Sequence, residues 1–138
     1  MSILSGGIFM YTIKEAAVKM NLPASTIRYY DKQGLLPFVQ RSESGYRMFS
    51  EKDIDLLNMI ECLKLTGMPI KEIKQFTLWL QQGDNSLQER YQMFLERRKA
   101  VEQQITQLQQ TLKVIDYKCW YYETAIQAGT EAIHNKDD

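Results

Sequence analysis

The stretch Pro23-Ala-Ser-Thr-Ile-Arg-Tyr-Tyr-Asp-Lys-Gln-Gly-Leu-Leu-Pro37 predicts a short helix around which the rest of the chain is organised. Ser25 and Thr26 provide the polar first turn that suits a helix start. Gly34 suits the left-handed position after a helix end, and Pro37 prevents immediate continuation. About three helical turns fit between these signals.

Three consecutive side chains of this helix, Arg28, Tyr29 and Tyr30, are large and cannot share one face. At about 100° per residue they fan across a wide arc, so at least two of them must point outward. An exposed arginine beside a tyrosine hydroxyl is a good donor pair for phosphate oxygens. The alternative is an ordinary surface arginine next to a core tyrosine, and this helix alone does not decide between the two.

Another short helix is predicted immediately before this one. Thr12 and Glu15 have the spacing of a capping box, in which each side chain accepts a hydrogen bond from the other residue's backbone. The apolar residues that follow are spaced for one helical face: Ile13, Ala16, Ala17 and Met20. A tight turn over residues 21–23 joins the two helices. This is the helix-turn-helix arrangement, whose second helix enters a DNA major groove.

Residues 38–49 are extended and polar, with Gly45 in a turn between two short segments of β-forming residues. This pattern predicts a small hairpin, or wing. Arg41, Tyr46 and Arg47 are the candidate contacts to the minor groove or the phosphates, because a wing near DNA needs cations on short strands. A solvated loop is the alternative.

The motif Thr26-Ile-Arg-Tyr-Tyr-Asp31, with Gly34-Leu-Leu-Pro37, Arg41 and Gly45-Tyr-Arg-x-Phe49 after it, resembles the MerR family of bacterial transcription regulators. The resemblance covers nearly the whole chain from Met10 onward. It implies a mainly α fold with a winged helix-turn-helix head, a second helical pair, and a long C-terminal helix that forms an antiparallel coiled coil with its twin.

The resemblance also implies a partner and a mechanism. A homodimer would bind an inverted-repeat operator in double-stranded promoter DNA and, when activated, distort the DNA so that RNA polymerase engages both promoter elements. The predicted DNA contacts are Ser25, Thr26, Arg28, Tyr29, Tyr30, Arg41, Tyr46, Arg47 and, from the second helical pair, Lys64.

The distribution of charge supports a DNA-binding head. The 138 residues carry 17 Lys and Arg against 17 Asp and Glu, a formal net charge of zero. The stretch 19–47 holds five basic and two acidic residues, whereas 76–138 holds seven basic and nine acidic residues. The basic excess therefore lies where the groove-facing elements are predicted, and the second half is unlike a DNA-binding surface.

Two further helices are predicted in the middle of the chain. Ser50 caps the first, with Glu51 and Asp53 in its first turn, and this helix runs to Leu65 and stops at Gly67. Its apolar positions cover more than one stripe, which predicts packing on two sides: 54, 56, 57, 59, 60, 62, 63 and 65. Pro69 opens the second helix, whose predicted inward face is Ile70, Ile73, Thr77 and Leu80.

From Leu87 onward, apolar residues recur at alternating spacings of four and three, with no Gly or Pro before Gly129. This heptad repeat predicts a long helix that needs a partner helix to cover its apolar seam. The predicted dimer interface is Leu87, Phe94, Val101, Ile105, Leu108, Leu112, Ile115, Cys119 and Tyr122. Packing of the seam against the chain's own head is the alternative.

The two cysteines raise the question of sensing. A soft metal needs at least two thiolates or a Cys/His set, but Cys119 has no neighbouring cysteine and His134 is the only histidine, so we expect no metal site and no cofactor. Cys62-Leu-Lys-Leu-Thr-Gly-Met-Pro69 and 118–131 resemble the branch of the family that responds to reactive aldehydes and other electrophiles through a thiol at the Cys62 position. An adduct in a packed site would then press on the joint between head and coil. A buried structural cysteine is the alternative.

The predicted organisation has four parts: a disordered leader or upstream start at 1–9, the DNA-binding head with the second helical pair at 10–83, the dimerisation helix at 84–128, and a tail at 129–138. Residues 1–9 lack the pattern of a secretion signal, and no apolar run is long enough to span a bilayer. Two cysteines without a disulfide framework fit a reducing compartment, so we expect a bacterial cytoplasmic protein without membrane contacts.

Two other functional classes, a coiled-coil adaptor and a thiol enzyme, compete with a DNA-binding regulator. A coiled-coil adaptor would use the same heptads to pair with other helices and the winged head to bind protein. A regulator that senses a metal or another small ligand would share the fold. A thiol enzyme is disfavoured because neither cysteine has a histidine base nearby in sequence and no glycine-rich cofactor loop is present. We therefore expect no enzymatic activity.

Overall fold

The computed structural model of the chain describes residues 3–5 and 8–135. The contacts divide it into two compact units, with the boundary between Phe94 and Leu95. The elements in chain order are β1 (Ile3–Ser5), β2 (Ile8–Met10), α1 (Ile13–Met20), α2 (Ala24–Lys32), β3 (Gln40–Arg41), β4 (Arg47–Met48), α3 (Glu51–Leu65), α4 (Ile70–Gln81) and α5 (Leu87–Ala128). The predicted mainly α fold, with a helix-turn-helix head and a long C-terminal helix, is confirmed.

The helix-turn-helix consists of α1 and α2. The predicted capping box is present, since the Glu15 amide donates to Thr12 Oγ1 at 3.2 Å and the Thr12 amide donates to Glu15 Oε1 at 2.9 Å. Pro23 occupies the N-cap of α2, which places Ser25 in the first helical turn. Gly34 has a φ of 80°, the left-handed conformation predicted for the residue after this helix.

The wing is a two-stranded antiparallel hairpin in which Gln40 pairs with Met48 and Arg41 pairs with Arg47. Gly45 turns the chain at a φ of 86°. A separate β-bridge joins the end of the wing to the start of α1: the Tyr11 amide donates to the Phe49 carbonyl at 2.7 Å, and the Phe49 amide donates back at 2.9 Å. The predicted hairpin is therefore correct, and the Tyr11–Phe49 bridge ties it to the helix-turn-helix.

The core of the head lies between α1, α2, α3 and α4. Its fully buried side chains are Ala16, Ile27, Tyr30, Leu35, Phe49, Leu57, Ile60, Leu63 and Ile73. Within one chain α3 buries a single broad face, while Cys62 is exposed and Leu65 is 88% exposed. The prediction that α3 packs on two sides is therefore not met within one chain, because these two residues lie on the opposite face of the helix.

Both ends of α3 and the start of α4 follow the sequence signals. Ser50 and Asp53 form a second capping box, in which the Ser50 amide donates to Asp53 Oδ2 at 2.8 Å. Burial raises the pKa of the Asp53 carboxyl, and the Ser50 backbone bond opposes that change. Gly67 ends the α3 turn at a φ of 89°, and Pro69 is the N-cap of α4. The inward face of α4 also includes Phe76, which the sequence analysis omitted.

A short 3-10 turn, Gly83–Ser86, connects α4 to α5. The buried Ser86 hydroxyl lies against the Trp79 and Gly83 carbonyls and accepts a bond from Arg90 Nε at 3.0 Å. Phe94 packs edge-on against Phe76, with ring centroids 5.5 Å apart. The Phe94 ring is thus half-buried against the core of its own head, and its place in the dimer seam stays a prediction.

The second unit contains the rest of α5 and a 3-10 turn, Glu131–His134. His134 stacks on Tyr121 at 4.1 Å between centroids, and its Nε2 lies 2.8 Å from the Tyr121 carbonyl oxygen and 2.9 Å from Thr124 Oγ1. The predicted tail 129–138 therefore folds back onto α5 over these residues, while its last three residues lie outside the described part.

The predicted leader also needs a correction. Ile3–Ser5 and Ile8–Met10 pair as antiparallel strands, so the described part of 1–9 is not disordered. The other residues of this segment, 1, 2, 6 and 7, lie outside the described part of the chain. The assignment of 1–9 as a leader stays a prediction.

Candidate nucleic-acid interface

The outward face of α2 carries Arg28, which is exposed, and Tyr29, which is 48% exposed. Ile27 and Tyr30 fill the opposite face and are buried in the core. Two of the three large side chains therefore face outward, which is the minimum that the helix geometry required. Ser25 is exposed on the first turn and Thr26 is half-buried, so α2 presents a polar leading end.

A groove of about 710 Å³ separates this face of α2 from the wing. Its lining residues are Ser25, Arg28, Tyr29, Asp31, Lys32, Val39, Arg41 and Arg47. Four of these side chains are cations and one is a carboxylate, which leaves an excess of positive charge. A concave surface with this charge and with a tyrosine hydroxyl suits the phosphate backbone of a nucleic acid.

One ion pair fixes the wing against α2. Arg47 Nε donates to Asp31 Oδ2 at 2.7 Å, and both side chains are roughly four-fifths buried. At the turn of the wing, Arg41 Nη1 donates to the Gly45 carbonyl at 2.8 Å. Tyr46, also at the turn, is 73% exposed. Asp31 therefore orients the wing through Arg47, while Arg41 and Tyr46 lie on its exposed side.

Tyr30 does not lie on the outward face. It is 1% exposed, and its hydroxyl donates to Glu61 Oε1 at 2.5 Å and accepts from Lys64 Nζ at 2.5 Å. The prediction that Tyr30 contacts DNA directly is therefore corrected, because its ring is part of the core. Lys64 reaches the surface beside it, and the hydrogen bond from its ammonium to Tyr30 raises the pKa of Lys64. Burial, followed by the bond to Glu61, raises the pKa of Tyr30.

Two cations near α2 were not among the predicted contacts. Lys32 lines the groove, and its place in the basic stretch 19–47 could have identified it. Lys74 approaches the C-terminal end of α2 from α4: a Cβ on Gly34 would lie 3.3 Å from Lys74 Cε. The sequence carries no signal for this approach because it depends on how α4 packs.

Both cysteines are free and are exposed residues in the single chain. Within residues 3–5 and 8–135, no group of three or more His, Cys, Asp or Glu side chains is placed to hold a metal ion. No helix in the same residues is both long and apolar enough to cross a membrane.

Most of the predicted seam of α5 is uncovered in the single chain. Ile105, Leu108, Leu112, Ile115 and Tyr122 each have about half or more of their surface exposed. Leu87 and Cys119 are also exposed, whereas Val101 is half-buried. Apolar side chains at heptad spacing on a 42-residue helix need a partner to cover them.

Comparisons with known proteins agree with this arrangement. Residues 11–78 match the family model described as MerR HTH family regulatory protein, and residues 54–117 match a second model, described as MerR, DNA binding. An HTH-type transcriptional regulator of Haemophilus influenzae is 42% identical over 120 residues, which is 87% of this chain and 89% of that protein. The regulator AdhR of Bacillus subtilis is 32% identical over 63% of this chain and 62% of its own length.

Among solved structures, the chain is similar to the crystal structure of HiNmlR, described as a MerR family regulator lacking the sensor domain, bound to promoter DNA. The TM-score is 0.84 and the identity is 40%, over 90% of this chain and 98% of that one.

Proposed function

Because this chain belongs to the MerR family of helix-turn-helix regulatory proteins, which bind DNA and control transcription, we propose that it works as a homodimeric activator. Two heads would occupy the half-sites of an inverted-repeat operator between the promoter elements. The dimer would then distort the DNA so that RNA polymerase can engage both elements.

The cationic groove between α2 and the wing is the observation that carries this proposal. Arg28 and Tyr29 face outward from a helix short enough to lie in a major groove, and Arg41 lies on the adjoining hairpin. Contacts from a helix and a wing at once fix the register of a head on the duplex. Ser25, Thr26, Tyr46 and Arg47 lie on the same two elements, and their contacts with DNA remain predictions.

The exposed seam of α5 supports a dimer. Ile105, Leu108 and Leu112 project from a helix that continues to Ala128, and Leu108 is 68% exposed. A second copy in antiparallel orientation would cover these side chains with its own, as heptad packing requires. Leu87, Val101, Ile115, Cys119 and Tyr122 complete the proposed interface.

The salt dependence of binding tests the proposed DNA contacts. Duplexes are selected from a random-sequence pool with the full chain, and the affinity for the best duplex is measured between about 50 and 200 mM salt. A dimer with 6 to 10 phosphate contacts should lose about 10³-fold or more in affinity over that range. A coiled-coil adaptor would enrich no duplex, and that result would contradict the DNA-binding proposal.

We further propose that Cys62 receives reactive aldehydes or related electrophiles. Cys62 is an exposed residue, and an aldehyde carbon would gain an S–C bond while the carbonyl oxygen takes up the thiol proton, giving a hemithioacetal. Because Cys62 is exposed, an adduct there would not overpack the core, which is the mechanism that a packed site would have implied. An adduct would act instead on the neighbouring residues of α3, of which Glu61 is bonded to Tyr30 of α2.

Replacing Cys62 by Ala should leave duplex affinity unchanged and abolish aldehyde-dependent activation in a purified transcription assay. Cys119→Ala is the control, since Cys119 is also exposed in the single chain but lies on the α5 seam that the second copy is proposed to cover. Comparing the intact masses of the wild-type, Cys62→Ala and Cys119→Ala proteins after formaldehyde treatment shows which thiol carries the adduct. A normal response from the Cys62→Ala protein would show that this thiol is not the sensor.

A further inference from the structure

A core tyrosine links the recognition helix to two charged side chains of α3. The Tyr30 hydroxyl donates its hydrogen to Glu61 Oε1 at 2.5 Å and accepts a bond from Lys64 Nζ at 2.5 Å. The ammonium also lies over the Tyr30 ring, 5.0 Å from its centroid, and 4.0 Å from Glu61 Oε1. Three groups from two helices therefore meet at one phenol oxygen.

The direction of these bonds follows from the donors that each group has. A phenol has one hydrogen, and when Glu61 accepts it, the lone pairs of the oxygen remain for Lys64. An ammonium has three donors, so the bond to Tyr30 leaves two N–H groups for another acceptor. The Lys64 side chain is 40% exposed, so solvent or a ligand can reach it.

The position of Lys64 places it near the proposed DNA surface. Its ammonium is bonded to the Tyr30 hydroxyl, and the Tyr30 ring lies 6.1 Å from the ring of Tyr29, centroid to centroid. Tyr29 in turn lines the groove between α2 and the wing. A flexible lysine stem normally loses much of its rotamer freedom when it makes a contact. Here the rigid phenol of a buried tyrosine already holds the ammonium in place.

We infer that Tyr30 and Glu61 are positioning residues for a phosphate contact made by Lys64, and that they act on DNA affinity in opposite directions. Tyr30 holds the ammonium in place and so strengthens the contact. Glu61 orients the Tyr30 hydroxyl, but its negative charge weakens the contact. This inference rests on the proposed DNA-binding function and names two residues that set the strength of DNA binding.

The opposite sign of the Glu61 effect comes from its charge. A carboxylate 4.0 Å from the ammonium partly neutralises it and repels an incoming phosphate. Two unit charges at this distance interact, even in water, by an amount that corresponds to about a fivefold change in an equilibrium constant. Glu61→Gln keeps an oxygen that can accept the Tyr30 hydrogen bond and removes the charge.

The test measures the affinity of the full-length protein for the duplex selected from the random pool, at several salt concentrations. Tyr30→Phe should weaken binding about three- to tenfold, which is the usual net effect of losing one hydrogen bond. Glu61→Gln should tighten binding by about fivefold. Lys64→Met should lower the slope of log affinity against log salt by about 0.9 for each phosphate contact it removes. Tyr30→Phe combined with Lys64→Met should bind no more weakly than Lys64→Met alone.

A purely structural role for the network predicts a different pattern. In that case Tyr30→Phe and Glu61→Gln would both weaken binding, in proportion to their thermal destabilisation. That result would overturn the inference, and so would unchanged affinity in both variants. Arg28→Ala, outside the network, separates the two proposals. If Arg28→Ala weakens binding while Tyr30→Phe and Glu61→Gln bind DNA as the wild type does, only the Lys64 inference fails. If the wild-type protein shows no salt-dependent binding, the proposed function fails with it.

Discussion

Replacing Ile105 and Leu112 by Asp should convert the proposed dimer to a monomer and remove most of the DNA affinity. Both side chains lie on the exposed seam of α5, which a second copy is proposed to cover. In the dimer these substitutions would bury four carboxylates without partners, and each costs several kcal/mol. The loss of DNA affinity follows because, in a dimer, binding of the first head holds the second head close to its own half-site. Two separate monomers lack this high local concentration.

Light scattering gives the oligomeric state, and duplex titration gives the affinity. The matched control is Gln103→Asp with Gln110→Asp, which adds the same charge to the same helix away from the seam. This control should stay dimeric and bind DNA normally. A dimer that survives the two seam substitutions would place the interface elsewhere on the chain.

Replacing Arg28 by Ala should weaken duplex binding by about 1 to 3 kcal/mol for each head. Arg28 is exposed on α2 and lines the groove, so its loss would remove the proposed charge-assisted phosphate contact without opening a cavity in the core. Because a dimer presents two heads, the total loss of binding free energy approaches twice the value for one head when both contacts are equivalent.

Circular dichroism should show an unchanged helix content in the Arg28→Ala protein. Lys113→Ala is a suitable control, since it removes one exposed cation from α5, far along the chain from the groove-facing residues. This control should keep the wild-type affinity. Equal affinities for Arg28→Ala and wild type would show that the exposed face of α2 does not touch DNA.

Local signals in the sequence were enough to predict most elements of the head. The Thr12 and Ser50 capping boxes depend on residues three positions apart, and Gly34 and Gly67 end helices through their own backbone freedom. The continuous α5 helix follows from an uninterrupted heptad pattern. These features need no information about which helices pack together.

Features that depend on packing could not be predicted in this way. Adjacent tyrosines look alike in the sequence, and only the position of α3 decides that Tyr30 is buried and Tyr29 is exposed. The Tyr30–Glu61–Lys64 network joins residues more than thirty positions apart. Phe94 fits the heptad spacing as well as its neighbours do, but it packs against Phe76 because the Gly83–Ser86 turn brings α5 back to the head.

The Tyr11–Phe49 bridge has a consequence for how the head folds. Its two hydrogen bonds close a loop that contains α1, α2 and the wing. Closing a loop of this length has an entropic cost, which is smaller once the helices inside it have already packed. The bridge should therefore form late and, along the same path reversed, open before the helices separate. The amide protons of Tyr11 and Phe49 should then exchange with solvent faster than those in the buried turns of α3. Amides near the exposed turn of the wing should exchange much sooner, through local opening.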